Sequence, residues 1–198
     1  MVSVKLRNDV KEFENGTTPY EIVKGFGGGF FKQVCACKID GEVYDLRTPI
    51  NNDCTLDFLT FDDPDVLAQA VKRLYPNAKC AIGPAIDTGF YYDFDVEKPF
   101  SQEDLDKITA EMKKIVKSKI KLEKFELSPQ DAIKKLEEMN EPYKVELCKE
   151  HADKNEPISF YQQDEFVDLC AGPHLMDVSV LKAVALTNCT GAYWRGDS

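Results

Sequence analysis

Val34-Cys35-Ala36-Cys37-Lys38-Ile39-Asp40-Gly41-Glu42-Val43-Tyr44-Asp45-Leu46 is the stretch that decides the fold of the first domain. Apolar and polar residues alternate on both sides of Asp40-Gly41. An Asp-Gly pair between two such segments is typical of a β-hairpin with a two-residue turn. Residues 54–59 alternate in the same way and predict a further strand.

A short helix is predicted before this hairpin. Thr18 supplies a hydroxyl cap, Pro19 fits the first helical position, and Glu21 places an acid in the first turn. Residues 2–6 and 10–13 alternate as a pair of strands at the start of the chain. Several strands around one short helix predict a β-grasp fold, the fold of ubiquitin, for residues 1–62.

Residues 63–198 are predicted to form a second, α/β domain, so the fold class of the chain is α+β. The acidic, proline-containing stretch Asp62-Asp63-Pro64-Asp65 marks the boundary. Helices are predicted from about Val66, from a capping box at Ser101, and from Ser128-Pro129. Residues 80–95 are predicted to form two strands joined by a turn, the second over residues 90–95. Further strands are predicted at residues 125–127, 143–147, 158–163, 166–169 and 183–188.

Composition restricts the classes of function. The 198 residues carry a net charge of −10, which argues against loose binding to nucleic acid. Residues 107–124 nevertheless hold seven lysines, usually the mark of a solvated helix face and less often of a phosphate contact. No apolar run is long enough for a membrane span. The seven cysteines form no Cys-x-x-Cys pair, which favours reduced thiols in a cytoplasmic protein.

The stretch Asp168-Leu169-Cys170-Ala171-Gly172-Pro173-His174 combines a thiol and an imidazole around a turn. Such a pair suits half a zinc site, a nucleophile with its base, or a grip on a small substrate. From these residue types alone, a buried Cys170 and a surface His174 are the favoured interpretation.

Two further polar side chains stand among apolar neighbours. Lys144 lies in the predicted strand 143–147, where it is either exposed or a charged group in a cleft. Tyr92 shares one face of a predicted strand with Phe90 and Phe94. Its hydroxyl could serve a site, although most such tyrosines only pack.

Four stretches together resemble the N-terminal half of bacterial threonyl-tRNA synthetases. They are Leu59-Thr60-Phe61-Asp62-Asp63, Ala81-Ile82-Gly83-Pro84 with Gly89-Phe90-Tyr91-Tyr92-Asp93, the Asp168–His174 stretch, and Gly191-Ala192-Tyr193-Trp194-Arg195-Gly196-Asp197. The resemblance spans essentially the whole chain. It implies a TGS domain at residues 1–62 and, at 63–198, an editing domain related to that of alanyl-tRNA synthetases.

The resemblance also implies the site residues. The family's Cys-x-x-x-His matches Cys170 and His174, its lysine matches Lys144, its strand tyrosine matches Tyr92, and its aspartate matches Asp168. The family's His-x-x-x-His pair, expected just before Val66, has no counterpart. The segment was either removed from this chain or lost by this protein, and the abrupt break between matching stretches favours removal.

The resemblance implies hydrolysis of the ester in mischarged seryl-tRNA(Thr), with the tRNA acceptor end as partner. No cofactor is required. Zinc is a candidate at Cys170 and His174, but two ligands leave a tetrahedral site incomplete, so weak zinc binding and slow hydrolysis are expected. ATP binding and aminoacylation would belong to family domains beyond Ser198. We expect a monomeric fragment of a homodimeric, cytoplasmic ligase that does not touch membranes.

Two alternatives stay open. Without the histidine pair, the chain could be a non-catalytic tRNA-binding module. It could also be a β-grasp regulatory or interaction module unrelated to tRNA, because such domains also occur in stringent-response enzymes and GTPases.

Overall fold

The structure is a computed structural model. It describes residues 1–7, 9–27, 30–32, 34–59, 65–83, 85–86, 89–152, 157–181, 184–191 and 194. The chain divides into two compact units. The first comprises residues 1–61 together with Gly172–Met176, and the second comprises residues 62–171 and 177–198.

Among the described residues, the first unit is a five-stranded mixed sheet with one α-helix and a short 3-10 helix (Phe30–Lys32), which confirms the predicted β-grasp fold. Its elements are β1 (Val2–Leu6), β2 (Asp9–Phe13), α1 (Pro19–Gly25), β3 (Ala36–Ile39), β4 (Glu42–Asp45) and β5 (Cys54–Leu59). The strand order is β2-β1-β5-β3-β4, with β1 and β5 parallel and the other neighbours antiparallel.

Local chemistry sets the ends of the elements in this unit. Thr18 and Glu21 form a reciprocal capping box that starts α1, with Pro19 in its first turn. Asp40 and Gly41 both take positive φ values, 51° and 92°, in the turn between β3 and β4. A type I′ hairpin turn requires positive φ at both positions, which explains why an Asp-Gly pair stands here.

The second unit begins with helix α2 (Asp65–Leu74) and four two-residue strands. These are β6 (Lys79–Cys80), β7 (Ala85–Ile86), β8 (Gly89–Phe90) and β9 (Phe94–Asp95). They are followed by α3 (Gln102–Ser118), β10 (Leu122–Leu127), α4 (Pro129–Glu138), α5 (Pro142–Ala152), β11 (Ile158–Gln163) and β12 (Phe166–Leu169). Strands β10, β11 and β12 form an antiparallel sheet in that order.

Two of the apolar clusters of the second unit lie around its helices. In one, α2 and α3 bury Val66, Val71, Ile108 and Met112 against each other. In the other, α4 and α5 cover Phe160 at the centre of the three-stranded sheet. Within the described part of the chain, no helix has the length and apolar character that crossing a membrane requires.

The prediction of a strand over residues 143–147 is wrong, because these residues lie in α5. The buried positions are Lys144, Val145 and Cys148, which share one helix face. One of the three carries a charge, so the apolar pattern of that face is broken. What remains in the sequence is the alternation of Tyr143, Val145 and Leu147, which imitates a strand.

Two other strand predictions need correction. The strand predicted over residues 90–95 is split into β8 and β9, with residues 91–93 outside any strand, although Phe90, Tyr92 and Phe94 do pack on the same core. The strand predicted over residues 183–188 is also wrong, since residues 184–190 adopt no regular structure. Residues 62–64 of the predicted boundary lie outside the described residues.

Acid should weaken the start of α3 through Asp104. Hydrogen bonds from the Ser101 and Tyr75 hydroxyls and the Ser101 N–H lower the pKa of Asp104 to about 2. A lowered folded-state pKa stabilises the fold above the ordinary value of 3.8, and this contribution is lost as the pH falls through about 2. We expect Asp104→Asn to show a shallower fall of the thermal midpoint between these two pH values. Parallel curves for parent and variant would contradict this.

Candidate active site

Helix α5 carries Lys144 into the interior of the second unit. The lysine is only 4% exposed. Its ammonium lies 3.0 Å from Oδ1 of Asp168 and donates to Oδ2 at 3.2 Å and to the Leu169 carbonyl at 3.3 Å. A buried ammonium is tolerated only with such compensation.

Strand β12 presents Asp168 to this ammonium. Side chains alternate along the strand, so that Phe166 and Asp168 are buried on one face while Val167 and Leu169 pack toward the cluster around α4 and α5. Asp168 is 5% exposed. The sequence predicted the strand, and the alternation explains why an acid in the middle of it is buried.

Tyr92 completes a three-residue contact. Its hydroxyl donates to Oδ2 of Asp168 at 2.6 Å, and its ring stacks on Phe94 with centroids 4.7 Å apart. The Lys144 ammonium lies 5.6 Å from the centre of the Tyr92 ring. Lys144, Asp168 and Tyr92, which we call the buried triad, are thus in mutual contact although they are distant in sequence.

The protonation states of the buried triad follow from burial and charge. Burial alone would lower the pKa of Lys144, but the charge and hydrogen bond of Asp168 outweigh it, so the pKa is raised. Burial first, and then the Asp168 charge, raise the pKa of Tyr92 well above its ordinary value. At neutral pH the triad therefore holds an ammonium and a neutral phenol that donates its proton.

Cys170 and His174 follow β12. Cys170 is partly buried, and its N–H donates to the Ser159 carbonyl at 3.2 Å. Between the two residues Gly172 has a φ of 73°, a conformation that favours glycine. His174 is 3% exposed and lies in Gly172–Met176, the segment that groups with the first unit. Participation of His174 with the buried triad remains a prediction.

The metal-ligand set is incomplete as far as the structure describes the chain. Among the described residues, no three His, Cys, Asp or Glu side chains are grouped in a way that could hold a metal ion. Cys170 and His174 alone do not fit a tetrahedral zinc site.

Two cavities of the second unit reach the triad. One of about 290 Å³ is lined by Asp168, Cys80, Gln69 and neighbouring residues. A second of about 420 Å³ is lined by Tyr92 with Phe90, Phe94 and Asn188 among others. Tyr92 and Asp168 are thus the members of the triad that line described cavities.

Sequence analysis missed two residues beside the triad. Cys80 is 2% exposed and is close enough to Asp168 and Lys144 for their charges to act on its pKa, which burial raises. Gly83 lies directly against the Tyr92 ring. The Gly-Pro pair at 83–84 predicts only a turn, and a cysteine in an apolar segment predicts only packing, so neither residue carried a signal for this place.

Comparison with known protein families finds matches in two parts of the chain. Residues 6–60 match the model of the TGS domain, and residues 158–198 match that of the threonyl and alanyl tRNA synthetase second additional domain. The whole chain is 52% identical, over 209 residues, to a threonine--tRNA ligase of Acetivibrio thermocellus, and it covers 33% of that protein.

This chain carries a TGS domain and a threonyl and alanyl tRNA synthetase second additional domain. The similarity to the N-terminal part of bacterial threonyl-tRNA synthetases is confirmed. Threonine--tRNA ligases of Clostridium acetobutylicum and Caldanaerobacter subterraneus are each 49% identical to it, over 100% and 98% of the chain. The chain spans about a third of the length of these curated relatives.

The alignment with the ligase of Acetivibrio thermocellus contains gaps in this chain. It extends over 209 residues, whereas this chain has 198, so at least 11 aligned positions have no residue here. Such a gap has the size of a short segment.

Proposed function

We propose that the second additional domain hydrolyses the ester that joins serine to threonine tRNA. The observation that carries the proposal is the buried triad of Lys144, Asp168 and Tyr92, held within the unit that contains the match to this domain. A charged ammonium and a phenol fixed on one carboxylate are preorganised groups for stabilising charge that develops in a reaction.

In the proposed reaction, water adds to the ester carbonyl, the bond to the ribose oxygen breaks, and that oxygen takes up the proton that water gives up. The products are free serine and uncharged tRNA. The described hydrogen bonds of Lys144 engage two acceptor groups, the Asp168 carboxylate and the Leu169 carbonyl. In the proposed reaction one N–H of the ammonium turns from the Asp168 carboxylate, whose Oδ1 and Oδ2 lie 3.0 and 3.2 Å from it, to the oxyanion or a ribose hydroxyl.

Discrimination explains why such a site is needed. Serine and threonine differ by one methyl group, which is worth roughly 1–3 kcal/mol in a binding pocket. A single binding step therefore distinguishes serine from threonine poorly. A second, hydrolytic site that excludes the larger amino acid, threonine, increases the accuracy of tRNA charging.

Loss of the ammonium should remove most of this activity. We expect Lys144→Ala to lower kcat/KM for deacylation of seryl-tRNA(Thr) by about 10²–10³-fold, the effect of removing one oxyanion donor. The measurement is release of labelled serine from the charged tRNA. Lys149→Ala, which changes an exposed lysine of the same helix, is the matched control and should keep the parent rate.

Tyr92→Phe tests the same site if Lys144→Ala folds poorly. It removes the hydrogen bond to Asp168 and keeps the aromatic ring, and we expect a slower deacylation by a folded protein. A parent chain that releases serine no faster than buffer, or a folded Lys144→Ala variant with the parent rate, would contradict the proposal.

A second candidate function, RNA contact without hydrolysis, is favoured by the lysines around the end of α3. Lys113, Lys117, Lys119 and Lys121, which we call the basic face, are all exposed. Lys107, Lys114 and Lys124 are instead paired with glutamates, while no ion pair described for this part of the chain includes a lysine of the basic face. The basic face is a local positive surface on a chain of net charge −10.

Replacing all four lysines of the basic face with alanine should weaken tRNA binding and reduce its salt dependence. The slope of log affinity against log salt is negative, and each lost phosphate contact reduces its magnitude by about 0.9. Fluorescence titrations at salt concentrations from about 50 to about 200 mM measure this slope, because the affinity for nucleic acid changes strongly over this range. Lys107→Ala is the matched control, because Glu103 already pairs with that lysine at 2.8 Å. Equal slopes for parent and quadruple variant would contradict RNA contact at this face.

A further inference from the structure

Gly83 lies where the backbone of residues 81–82 is held against that of residue 93. The Ala81 N–H donates to the Asp93 carbonyl at 3.0 Å, and the Asp93 N–H donates to the Ile82 carbonyl at 2.8 Å. These two hydrogen bonds fix the separation of the two chain segments. Gly83 therefore has little freedom to move away from Tyr92.

A side chain at Gly83 would occupy the space of the Tyr92 ring. A Cβ built there would lie 2.1 Å from Cδ2, 2.6 Å from Cε2 and 2.7 Å from Cγ of Tyr92. Gly83 is not among the glycines with positive φ, so the need for glycine here comes from space and not from backbone conformation. Either the ring or the backbone would have to shift.

The ring of Tyr92 is fixed from several sides. It stacks on Phe94 with an angle of 16° between the ring planes, and its hydroxyl is bonded to Asp168. Asp168 in turn holds the Lys144 ammonium. A displacement of the ring would thus reach the carboxylate and the ammonium through direct contacts.

We propose that Gly83 is a positioning residue: its missing side chain sets the position of the Tyr92 ring, and the ring sets the geometry of Asp168 and Lys144. The inference rests on the proposed hydrolysis for its effect on rate. Its structural part, the control of Tyr92 by Gly83, stands independently. Gly83 itself touches neither the ester nor the attacking water.

The test compares Gly83→Ala with the parent and with Gly191→Ala. An added Cβ at Gly191, in the same unit, meets nothing within 4 Å, and its φ is not positive, so this variant is the matched control. We expect Gly83→Ala to lower kcat for deacylation by about 10²-fold, the effect of a misplacement near 1 Å, while KM changes little. We also expect the ring-proton NMR shifts of Tyr92 to move, whereas Gly191→Ala leaves both unchanged.

A double variant separates positioning from general destabilisation. In a Tyr92→Ala background the ring is gone, so adding Gly83→Ala should cause no further loss of rate or of unfolding free energy. Losses that simply add, or unmoved Tyr92 resonances in a folded Gly83→Ala variant, would overturn the inference. If the parent does not hydrolyse the ester, the proposed function fails, but the Tyr92 shifts and the double variant's unfolding still decide whether Gly83 positions the ring.

Discussion

Asp168→Ala is expected to lower the free energy of unfolding by about 3–5 kcal/mol, the usual effect of removing one partner of a buried ion pair. The reason is that the Lys144 ammonium, 4% exposed, loses its counter-charge and keeps only the Leu169 carbonyl among its described acceptors. Chemical denaturation followed by circular dichroism measures the change.

A double variant provides the control for this expectation. In Lys144→Met/Asp168→Leu both charges are removed, and replacing a buried pair with apolar residues of similar volume is often close to neutral. The double variant should therefore be clearly more stable than Asp168→Ala. Equal instability of the two proteins would show that packing around β12, and not the unpaired charge, causes the loss.

The pH dependence of Asp168→Ala should have the opposite sign to that of the parent. In the parent the folded-state pKa of Lys144 is raised above 10.5, so the pair's contribution is present below that value and is lost as the pH rises through the folded-state pKa. In the variant the charge and hydrogen bond of Asp168 are gone, and burial, the largest single cause, lowers the pKa of Lys144. The unfolded state then binds more protons, and stability should increase as the pH rises toward 10.5.

Phe160→Ala is the second substitution with a large expected effect. Phe160 is fully buried on β11, the central strand of its sheet, and its ring stacks on Phe125 with centroids 5.4 Å apart. Truncating a buried phenylalanine removes its burial and leaves a cavity, so we expect a loss of about 3–5 kcal/mol of unfolding free energy. Denaturant titration of parent and variant measures it.

Leu74→Ala is the matched control for Phe160→Ala within the same unit. Leu74 is 38% exposed at the end of α2, and surface substitutions usually change stability by about 0.5 kcal/mol or less. A Phe160→Ala variant no less stable than Leu74→Ala would mean that the sheet and helices α4 and α5 adjust to fill the space.

Local signals explain why the first unit was predictable. The Asp40-Gly41 turn and the Thr18 cap each act within a few residues, and the structure has both where the sequence placed them. The capping box at Ser101 is a third local signal of this kind, in the second unit. In each case the side chain that stabilises the element lies next to the element it stabilises.

Local sequence signals of this kind could not predict the contacts within the buried triad. Tyr92 and Asp168 meet across 76 residues, and Lys144 meets Asp168 across 24, so no local pattern brings them together. The resemblance to threonyl-tRNA synthetases named these residues, but periodicity placed Lys144 on a strand. Because Lys144 lies on the buried face of α5, the apolar residues of this helix do not recur with a helical period. The residue that compensates the buried charge, Asp168, lies on β12 and is not recognisable from the helix sequence.

The membership of Gly172–Met176 in the first unit has a consequence for anyone dividing this protein into parts. Arg47 of the first unit donates to the Leu175 carbonyl at 3.3 Å, and Met176 packs against that unit's apolar cluster. A gene cut after codon 61 would leave the ubiquitin-like module without a piece of its own interior. Swapping or expressing that module separately calls for supplying the distant five-residue peptide as well, by fusion or in trans.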